Sequence, residues 1–479
     1  MQPCQASTEV VGLLVSAAHK SSGKTTVSLG LSSALTAQGT VVQPFKKGPD
    51  YIDPMWLALA AGRPCFNLDS WLMDDAALCQ CFTEQRAGAD LALVEGNKGL
   101  YDGLALDGSN SNAALATRLN LPVLLVIDSR GMTRGIAPLI LGYQAFDRNI
   151  RIGGVILNRV GGSRHESKLR AVIEHYTDVP VLGAVAEDPQ LAMTERHLGL
   201  MPTAEVADAR QRVQAIGRLV GSQVDLHRLR ALAATASGMP GLPATGSANR
   251  RAPDVCIGIA QDRAFGFYYA DDLSALREAG AELVPFDTLR DTSLPAVDGL
   301  FIGGGFPEAC MQELQANVAL RSQLRQAIEA GLPTYAECGG LMYLSRSITW
   351  QGRTAQMVGV IPGDAVMHPR PVGRGYVQLE ATADAPWAAP GERLRGHEFH
   401  HSSLDNLDPA VRFAYRVQRG HGVDGVHDGV LMHQMLASYA HLRSTAGTNW
   451  APRFVDQVRR QKGRAERVPA TPALPAEVC

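Results

Sequence analysis

Two short stretches of this chain carry residue types at spacings that do chemistry. The first is Ala18-His19-Lys20-Ser21-Ser22-Gly23-Lys24-Thr25. It has the spacing of a phosphate-binding loop, G-x-x-x-x-G-K-[ST], with alanine for the first glycine. Small residues let backbone N–H groups wrap a phosphate chain, and a following helix adds the partial positive charge of its N-terminus. Lys24 would reach the outer phosphates of ATP and the Thr25 hydroxyl would hold Mg²⁺, with Ser21, Ser22, Gly23 and Thr26 completing the cradle. The second stretch is Glu337-Cys338-Gly339-Gly340, followed by the apolar Leu341-Met342-Tyr343-Leu344. A cysteine, then small residues, then an apolar helix describes a strand–turn–helix elbow that exposes a thiol and favours thiolate. Backbone N–H groups at Gly339 and in Gly303-Gly304-Gly305 would form an oxyanion hole. The base should be a histidine distant in sequence, and His441 in Leu436–Leu442 supplies one. On these residues alone an inert buried thiol remains the competing reading of Cys338.

The elements that must position these residues follow from periodicity. The apolar run Val10–Val15 reads as a strand, Ser16–Gly23 as the loop, and a helix starts near Lys24 with apolar residues at Val27, Leu31 and Leu35. Val41 and Val42 end a second strand, and Phe45–Asp53 reads as a loop. Its aspartates suit Mg²⁺, with Asp50 the candidate ligand, and its lysines suit phosphate, with Lys47 the candidate. Ala89–Val94 is a third strand and ends in Glu95. An acid at the carboxyl end of a parallel strand faces the ligand crevice, so Glu95 is the second magnesium candidate. The glycines of Gly96–Gly103 let backbone pass close to a substrate. Asp102 and Asp107 lie in that same loop region. Pro122–Asp128, Ile152–Asn158 and Val179–Val185 read as further strands, and the Asn158 amide suits a base edge. Strands alternating with helices predict a mostly parallel, doubly wound α/β sheet, closed by a helix-rich Thr194–Ala236. Ser237–Pro253 is rich in Gly, Pro, Ala and Ser and reads as a linker. Val255–Ala260, Leu283–Phe286, Gly299–Ile302 and Pro333–Ala336 then predict strands of a second α/β unit. The expected boundaries are 8–236, linker 237–253, 254–446 and a tail 447–479.

Composition bounds the function. A chain of 479 residues suggests two or three domains. A formal charge of -2, from 45 basic and 47 acidic residues, offers no electrostatic reason for nucleic-acid or membrane binding. No apolar run approaches the roughly 18 residues of a membrane span. MQPCQASTEV lacks a basic and an apolar region, so no secretory signal is expected. The 8 cysteines are scattered without a C-x-x-C pair, which points to a reducing cytoplasm. Cys79 and Cys81 should fall on different faces of a helix. From Lys462 the polar, Pro/Ala-rich sequence reads as disordered, and Cys479 as incidental.

GKTT, QPFKKGPDYIDP, VEGNKGLYDG, AFGFYYADDL, IGGGFPE, YAECGGLMYL, GHEFH and ASYAHL occur in one order. Together they resemble the cobyrinic acid a,c-diamide synthase family over roughly residues 8 to 445. The resemblance implies an N-terminal ATP-dependent amidoligase of the dethiobiotin synthetase type and a C-terminal class I glutamine amidotransferase. It carries the nucleophile onto Cys338, the base onto His441, and ATP and Mg²⁺ contacts onto Lys24, Thr25, Asp50 and Glu95. Tyr51, Asp53, Lys98, Tyr101 and Asp102 become candidates for substrate contact. It implies two successive amidations on the a and c acetates of a tetrapyrrole, with glutamine and ATP as co-substrates and a closed path for ammonia. A homodimer is an expected assembly. A regulatory ATPase with a degenerate second domain is the rival reading, and a free-ammonia ligase would not need residues 254 to 446.

The chain departs from the family pattern in places. His19-Lys20 replaces glycine or serine. Lys98 replaces a methionine in the substrate loop and points to a different acidic tetrapyrrole, with sirohaem and hydrogenobyrinic acid as alternatives. Arg443 stands two places after the base, where a Cys–His–Glu triad has its acid, so no third member is assigned. His397-Glu398-Phe399-His400-His401 matches the zinc pattern H-E-x-x-H. That chemistry needs a helix, and no helical period surrounds it, so no zinc site is expected.

Overall fold

A computed structural model describes residues 11–193, 195–196, 199–236, 251–445 and 447–465. The chain divides into two units, Met1–Ser247 and Ala248–Cys479. All of the expected linker except residues 251–253 lies outside the described residues.

The first unit is built on seven strands: β1 (Gly12–Ala17), β2 (Val42–Lys47), β3 (Phe66–Leu68), β4 (Leu91–Glu95), β5 (Val123–Asp128), β6 (Ile152–Val160) and β7 (Val181–Ala186). Their order is β3-β2-β4-β1-β5-β6-β7 and every pairing is parallel. β1, β2 and β4 are buried along their whole length, as strands covered on both faces must be. β1 lies beside β4 with Val15 opposite Glu95, and β2 lies on the other side of β4 with Lys46 opposite Glu95. The carboxyl ends of three neighbouring strands therefore meet at one acid. The helix α1 (Lys24–Ala37) is buried on most of its circumference. Its small residues allow this: a Cβ on Gly30 would meet Val220 at 2.5 Å, and one on Gly217 would meet Ser33 Oγ at 2.4 Å. The helix Ala209–Gly221 thus packs on α1 at near-backbone distance.

Three local expectations change. β1 runs two residues later than the apolar run suggests, because its pairing with β5 extends to Ala17. Phe45–Lys47 is strand rather than loop. Both neighbours satisfy its backbone, with Lys46 opposite Glu95 and Lys47 opposite Leu68. α2 (Ile52–Ala61) then begins inside the expected loop. β3 escaped the reading because three residues carry no period. Cys79 and Cys81 do lie in one helix, Asp75–Gln85, with Cys79 buried and Cys81 half-buried.

The second unit carries a ten-stranded mixed sheet. Its parallel part holds Val255–Ala260, Ala281–Phe286, Gly299–Ile302, Thr334–Glu337 and Met435–Ser438. It continues through antiparallel strands to Gly373–Ala381, Arg393–His400 and His441–Leu442. A second sheet of four strands spans Ser345–Asp405. His397 to His400 lie in a strand, where successive side chains alternate faces, so the helical zinc geometry is absent. The unit does not stop at 446. Helix Trp450–Ala465 buries Trp450, Phe454, Val455 and Val458 among Val255, Ile257, Phe301 and Tyr335. Lys462, read as the start of a disordered tail, lies in this helix and donates to Asp298 at 2.9 Å. An amphipathic helix that closes the core, not a tail, follows the last strand. Residues 466–479 lie outside the described residues. No helix among the described residues is long and apolar enough to cross a membrane.

Candidate functional site

The phosphate loop leaves β1 and enters α1 through Gly23, whose φ of +84° no side chain adopts easily. A Cβ there would also meet Asn158 Nδ2 at 2.0 Å. Asn158, at the end of β6, donates from that nitrogen to Ser22 O at 2.8 Å. Its amide braces the loop from behind, a role that sequence alone did not suggest. Ser22 Oγ donates to His19 O, Arg159 donates to Ser21 O, and Ser21 itself is left-handed at φ +68°. Lys24, Thr25 and Thr26 form the first turn of α1.

Glu95 is the centre of the chemistry-bearing cluster. Its side chain is fully buried. Thr25 Oγ1 donates to Glu95 Oε1 at 2.6 Å, Lys46 Nζ at 3.0 Å, and Lys24 Nζ lies 3.5 Å away. Lys46 also donates to Asp53 Oδ2 at 2.5 Å, and that same oxygen lies 3.4 Å from Thr25 Oγ1. Burial works against the Lys46 ammonium, but Asp53, Glu95 and Asp50 outweigh it and hold its pKa well above the ordinary lysine value. Burial, together with Lys46, pulls Lys24 down. Asp50 Oδ1 accepts the N–H groups of Ile52 and Asp53, and its other oxygen is 3.8 Å from Lys46. Burial and the charge of Asp53 push Asp50 up to about 7. Lys47 donates to Asn97 Oδ1 at 3.0 Å, and burial draws its pKa down to about 8. The structure therefore puts Lys46 and Asp53 in direct contact with Thr25 and Glu95, and sets Lys47 one residue aside. Lys46 was missed because the sequence placed it in a loop. In a strand, alternation sends Lys46 and Lys47 to different neighbours.

The residues fit a divalent cation. Glu95 Oε2 is buried and makes no hydrogen bond. Among the described residues no three His, Cys, Asp or Glu side chains enclose a metal. Mg²⁺ needs no such cage, because it binds through one or two carboxylates plus phosphate oxygens.

The loop after β4 is tied down by a residue the sequence did not flag. Asn112 Nδ2 reaches Ser16 Oγ at 3.0 Å and the carbonyls of Asn97 and Gly99, while its Oδ1 accepts Asn97 N–H. Asp102 Oδ2 accepts the Gly99 N–H at 2.8 Å. Lys98 sits at φ +44°. Tyr101 OH donates to Tyr143 O, and the Tyr143 hydroxyl donates to Ala18 O at the phosphate loop. Tyr51 is buried at the start of α2. Lys98, Tyr101 and Asp102 thus line one braced loop, and Tyr51 and Asp53 belong to the β2–α2 turn.

In the second unit, Cys338 stands between strand Thr334–Glu337 and helix Gly339–Leu344 with φ +49°. That sparsely populated conformation matches the expected elbow, but the thiol is not exposed as expected: Cys338 is buried. Its N–H donates to Ser438 O at 2.7 Å. His441 is hydrogen-bonded to the Cys338 side chain. No third member was assigned from sequence; in the structure Glu337 takes the position beside His441 that such a residue would hold. Its Oε2 meets His441 Nδ1 at 3.1 Å, while its Oε1 accepts Leu442 N–H at 3.0 Å and the Tyr335 hydroxyl at 2.6 Å. Burial opposes the His441 imidazolium, but its bonds to Cys338 and Glu337 prevail and raise it to about 10. The ring is also clamped in position. His397 stacks on it at 4.9 Å and 18°, and a Cβ on Gly304 would meet His441 Cε1 at 2.7 Å. Asp428 accepts from Ser438 Oγ and from the N–H groups of Tyr439 and Ala440, which fixes the turn into His441. Gly339 and Gly305 face each other, because a Cβ on the first would meet N of the second at 2.9 Å. The three expected glycines, Gly304, Gly305 and Gly339, therefore gather at the thiol–imidazole pair. Gly303 does not offer its N–H, which donates to the Tyr268 hydroxyl. Arg443, at the place of the missing acid, pairs instead with Asp271 at 2.6 Å.

Glu337→Gln is expected to lower glutamine-dependent kcat by roughly 10²- to 10⁴-fold, through loss of ring orientation and charge support. Without that carboxylate the His441 pKa falls, so the alkaline limb of the pH–rate profile should move to lower pH. A full pH profile of glutamine hydrolysis checks this, and an unshifted limb would remove Glu337 from the triad.

Residues 256–448 match the family described as a CobB/CobQ-like glutamine amidotransferase domain, and residues 71–195 one described as an AAA domain. A cobyrinate a,c-diamide synthase of Magnetococcus marinus is 47% identical over 458 residues, covering 94% of this chain and 97% of the relative. One from Methanosarcina acetivorans is 40% identical over 487 residues, covering 95% and 97%. One from Synechocystis is 38% identical over 436 residues, covering 90% of each. With such identity across nine-tenths or more of both sequences, the chain belongs to the cobyrinate a,c-diamide synthase family and is a glutamine-hydrolysing carbon–nitrogen ligase.

Proposed function

We propose that the protein amidates the a and c acetate carboxylates of a cobyrinic-acid-type tetrapyrrole, using ATP and glutamine. The observation that carries the ligase half is the convergence of Lys24, Thr25, Lys46 and Asp53 on Glu95 at the mouth of the phosphate loop. The substrate comes from the relatives named above. A carboxylate oxygen of the substrate attacks the γ-phosphorus of ATP, ADP leaves, and an acyl phosphate forms. Ammonia then attacks the acyl carbon and phosphate leaves, giving the amide. A Mg²⁺ held by Thr25 and Glu95, with Asp53 or Asp50 beside them, would offset charge on the phosphate oxygens. Lys24 and Lys46 supply fixed positive charge on the same side, and the loop N–H groups orient the chain of phosphates.

In the second unit Cys338 Sγ attacks the side-chain amide carbon of glutamine. Gly304, Gly305 and Gly339 provide N–H groups to the oxyanion. His441 passes its proton to the leaving nitrogen, ammonia departs, and water hydrolyses the thioester to glutamate. Glu337 holds the His441 ring in place throughout.

The test is amide formation followed by mass spectrometry, with ATP, Mg²⁺ and glutamine, on cobyrinic acid, hydrogenobyrinic acid and sirohaem side by side. Two amides on cobyrinic acid are expected. Two amides on one of the other macrocycles instead would relocate the specificity, with Lys98 the residue to examine. No product on any of them, with ATP still hydrolysed, would overturn the tetrapyrrole reading and favour a regulatory ATPase.

A further inference from the structure

Chemistry at Cys338 accounts for only one end of a glutamine molecule. The amide end meets the thiol and the glycine N–H groups. The other end is an α-amino acid, and its carboxylate is what separates glutamine from other primary amides. A cation on the same face of the sheet, a few ångströms from the thiol, would select for that carboxylate.

Strand register singles out one. His441 lies opposite His397 on strand Arg393–His400, and His397 lies opposite Tyr376 on strand Gly373–Ala381. Side chains two residues apart share a face, so Arg374 and its partner Phe399 stand on the face of His397 and His441. Moving from His397 towards Phe399 matches moving from His441 back towards Ser438, because those strands are antiparallel. Ser438 is the residue whose carbonyl takes the Cys338 N–H. Arg374 is therefore displaced towards the nucleophile, not away from it. Its guanidinium does not project straight out. It lies over the Phe399 ring, 5.2 Å from the centroid, which brings it one strand closer to His441. Neighbouring strands are about 4.8 Å apart, close to the roughly 5 Å that separate the amide carbon and carboxylate of extended glutamine.

Arg374 is also uncommitted. It is exposed, and among the described residues its guanidinium has no carboxylate partner. Most of the arginines around it are spent. Arg443 pairs with Asp271 and Arg453 with Glu392. Arg393 and Arg395 share the face but lie on the other side of His397, away from Phe399. An aromatic ring beneath a guanidinium fixes its plane and leaves its N–H edge open, which is the geometry for a bidentate carboxylate.

We propose that Arg374, seated on Phe399, binds the α-carboxylate of the glutamine whose amide is cleaved at Cys338. This rests on the glutaminase reading of Cys338 and His441 and specifies its substrate contact. The test uses the full-length enzyme and two substrates, L-glutamine and L-glutamine α-amide, which has the same side chain and no α-carboxylate. Arg374→Gln should lower kcat/KM for glutamine about 100-fold, mostly through KM, as expected for a lost charge-assisted pair. Its kcat/KM for the α-amide should stay at the wild-type value, so discrimination between the two collapses. Arg374→Lys should recover part of the loss, and Arg393→Ala should change neither substrate. Alkylation of Cys338 by iodoacetamide, read by peptide mass spectrometry, should keep its wild-type rate in Arg374→Gln and so report an intact site. An unchanged KM for glutamine in Arg374→Gln, or an equal loss on both substrates, would overturn the proposal. Undiminished glutamine hydrolysis by Cys338→Ser would overturn the glutaminase reading instead.

Discussion

Cys338→Ser should end the use of glutamine while leaving free ammonia as a nitrogen source. The expected loss in glutamine-dependent kcat is about five orders of magnitude, the scale seen when a nucleophile is removed from a triad. Serine keeps the shape of the elbow. Its hydroxyl is a far weaker nucleophile than cysteine sulfur beside an imidazole base. The thiol belongs to the second unit and the residues that converge on Glu95 to the first, so amidation driven by ammonium salts should persist. Amide formation with each nitrogen source, on one protein preparation, checks both halves at once. Loss of both activities together would mean that the two reactions are not separable in the way proposed.

The second large effect is expected at Glu95. Glu95→Gln keeps the volume and one acceptor but removes the charge on which Thr25, Lys24 and Lys46 converge. The Lys24 and Lys46 ammonium groups would lose their shared carboxylate, leaving Asp53 and Asp50, both beside Lys46, as the remaining acids. ATP-dependent amidation should fall by about 10³-fold, comparable to the loss of a preorganised electrostatic group in a water-poor site. Part of the loss should return at high Mg²⁺ if cation affinity is what suffers. Glutamine hydrolysis at Cys338 should be untouched. Initial rates across a Mg²⁺ series, with ammonia as the nitrogen source, make the measurement. A near-normal rate at ordinary Mg²⁺ would remove Glu95 from the site.

What could be read in the sequence depended on how local the signal was. The phosphate loop and the cysteine elbow are contiguous, and each carries its geometry in its spacing. The alternation of strands and helices was legible for the same reason. Glu337 was not, although it adjoins Cys338. In a regular strand, neighbours point to opposite faces, so a reader expects Glu337 to turn away from the chemistry of Cys338. The positive φ at Cys338 breaks that alternation and lets both side chains reach His441. Lys46 was hidden by the opposite error, a strand end read as a loop. Asn112 and Asp428 act through buried hydrogen bonds to backbone far away in sequence, and no spacing announces such partners. The helix Trp450–Ala465 was lost because polar residues fill its outer face, although Trp450, Phe454 and Val458 mark an apolar stripe one turn apart.

Lys46 has a bearing on the order in which ligands arrive. Its ammonium sits between Asp53 and Glu95, as an internal counter-ion covalently attached to the protein. If a divalent ion binds there as proposed, it must compete with a charge that cannot diffuse away, so low affinity for the ion alone is expected. A triphosphate changes the balance, because it offers Lys46 another anion and brings oxygen ligands for the metal. Metal and nucleotide are then thermodynamically linked, each raising the affinity for the other by the same factor. On that reading the metal–nucleotide complex is expected to load as a unit, and divalent ion alone to bind weakly.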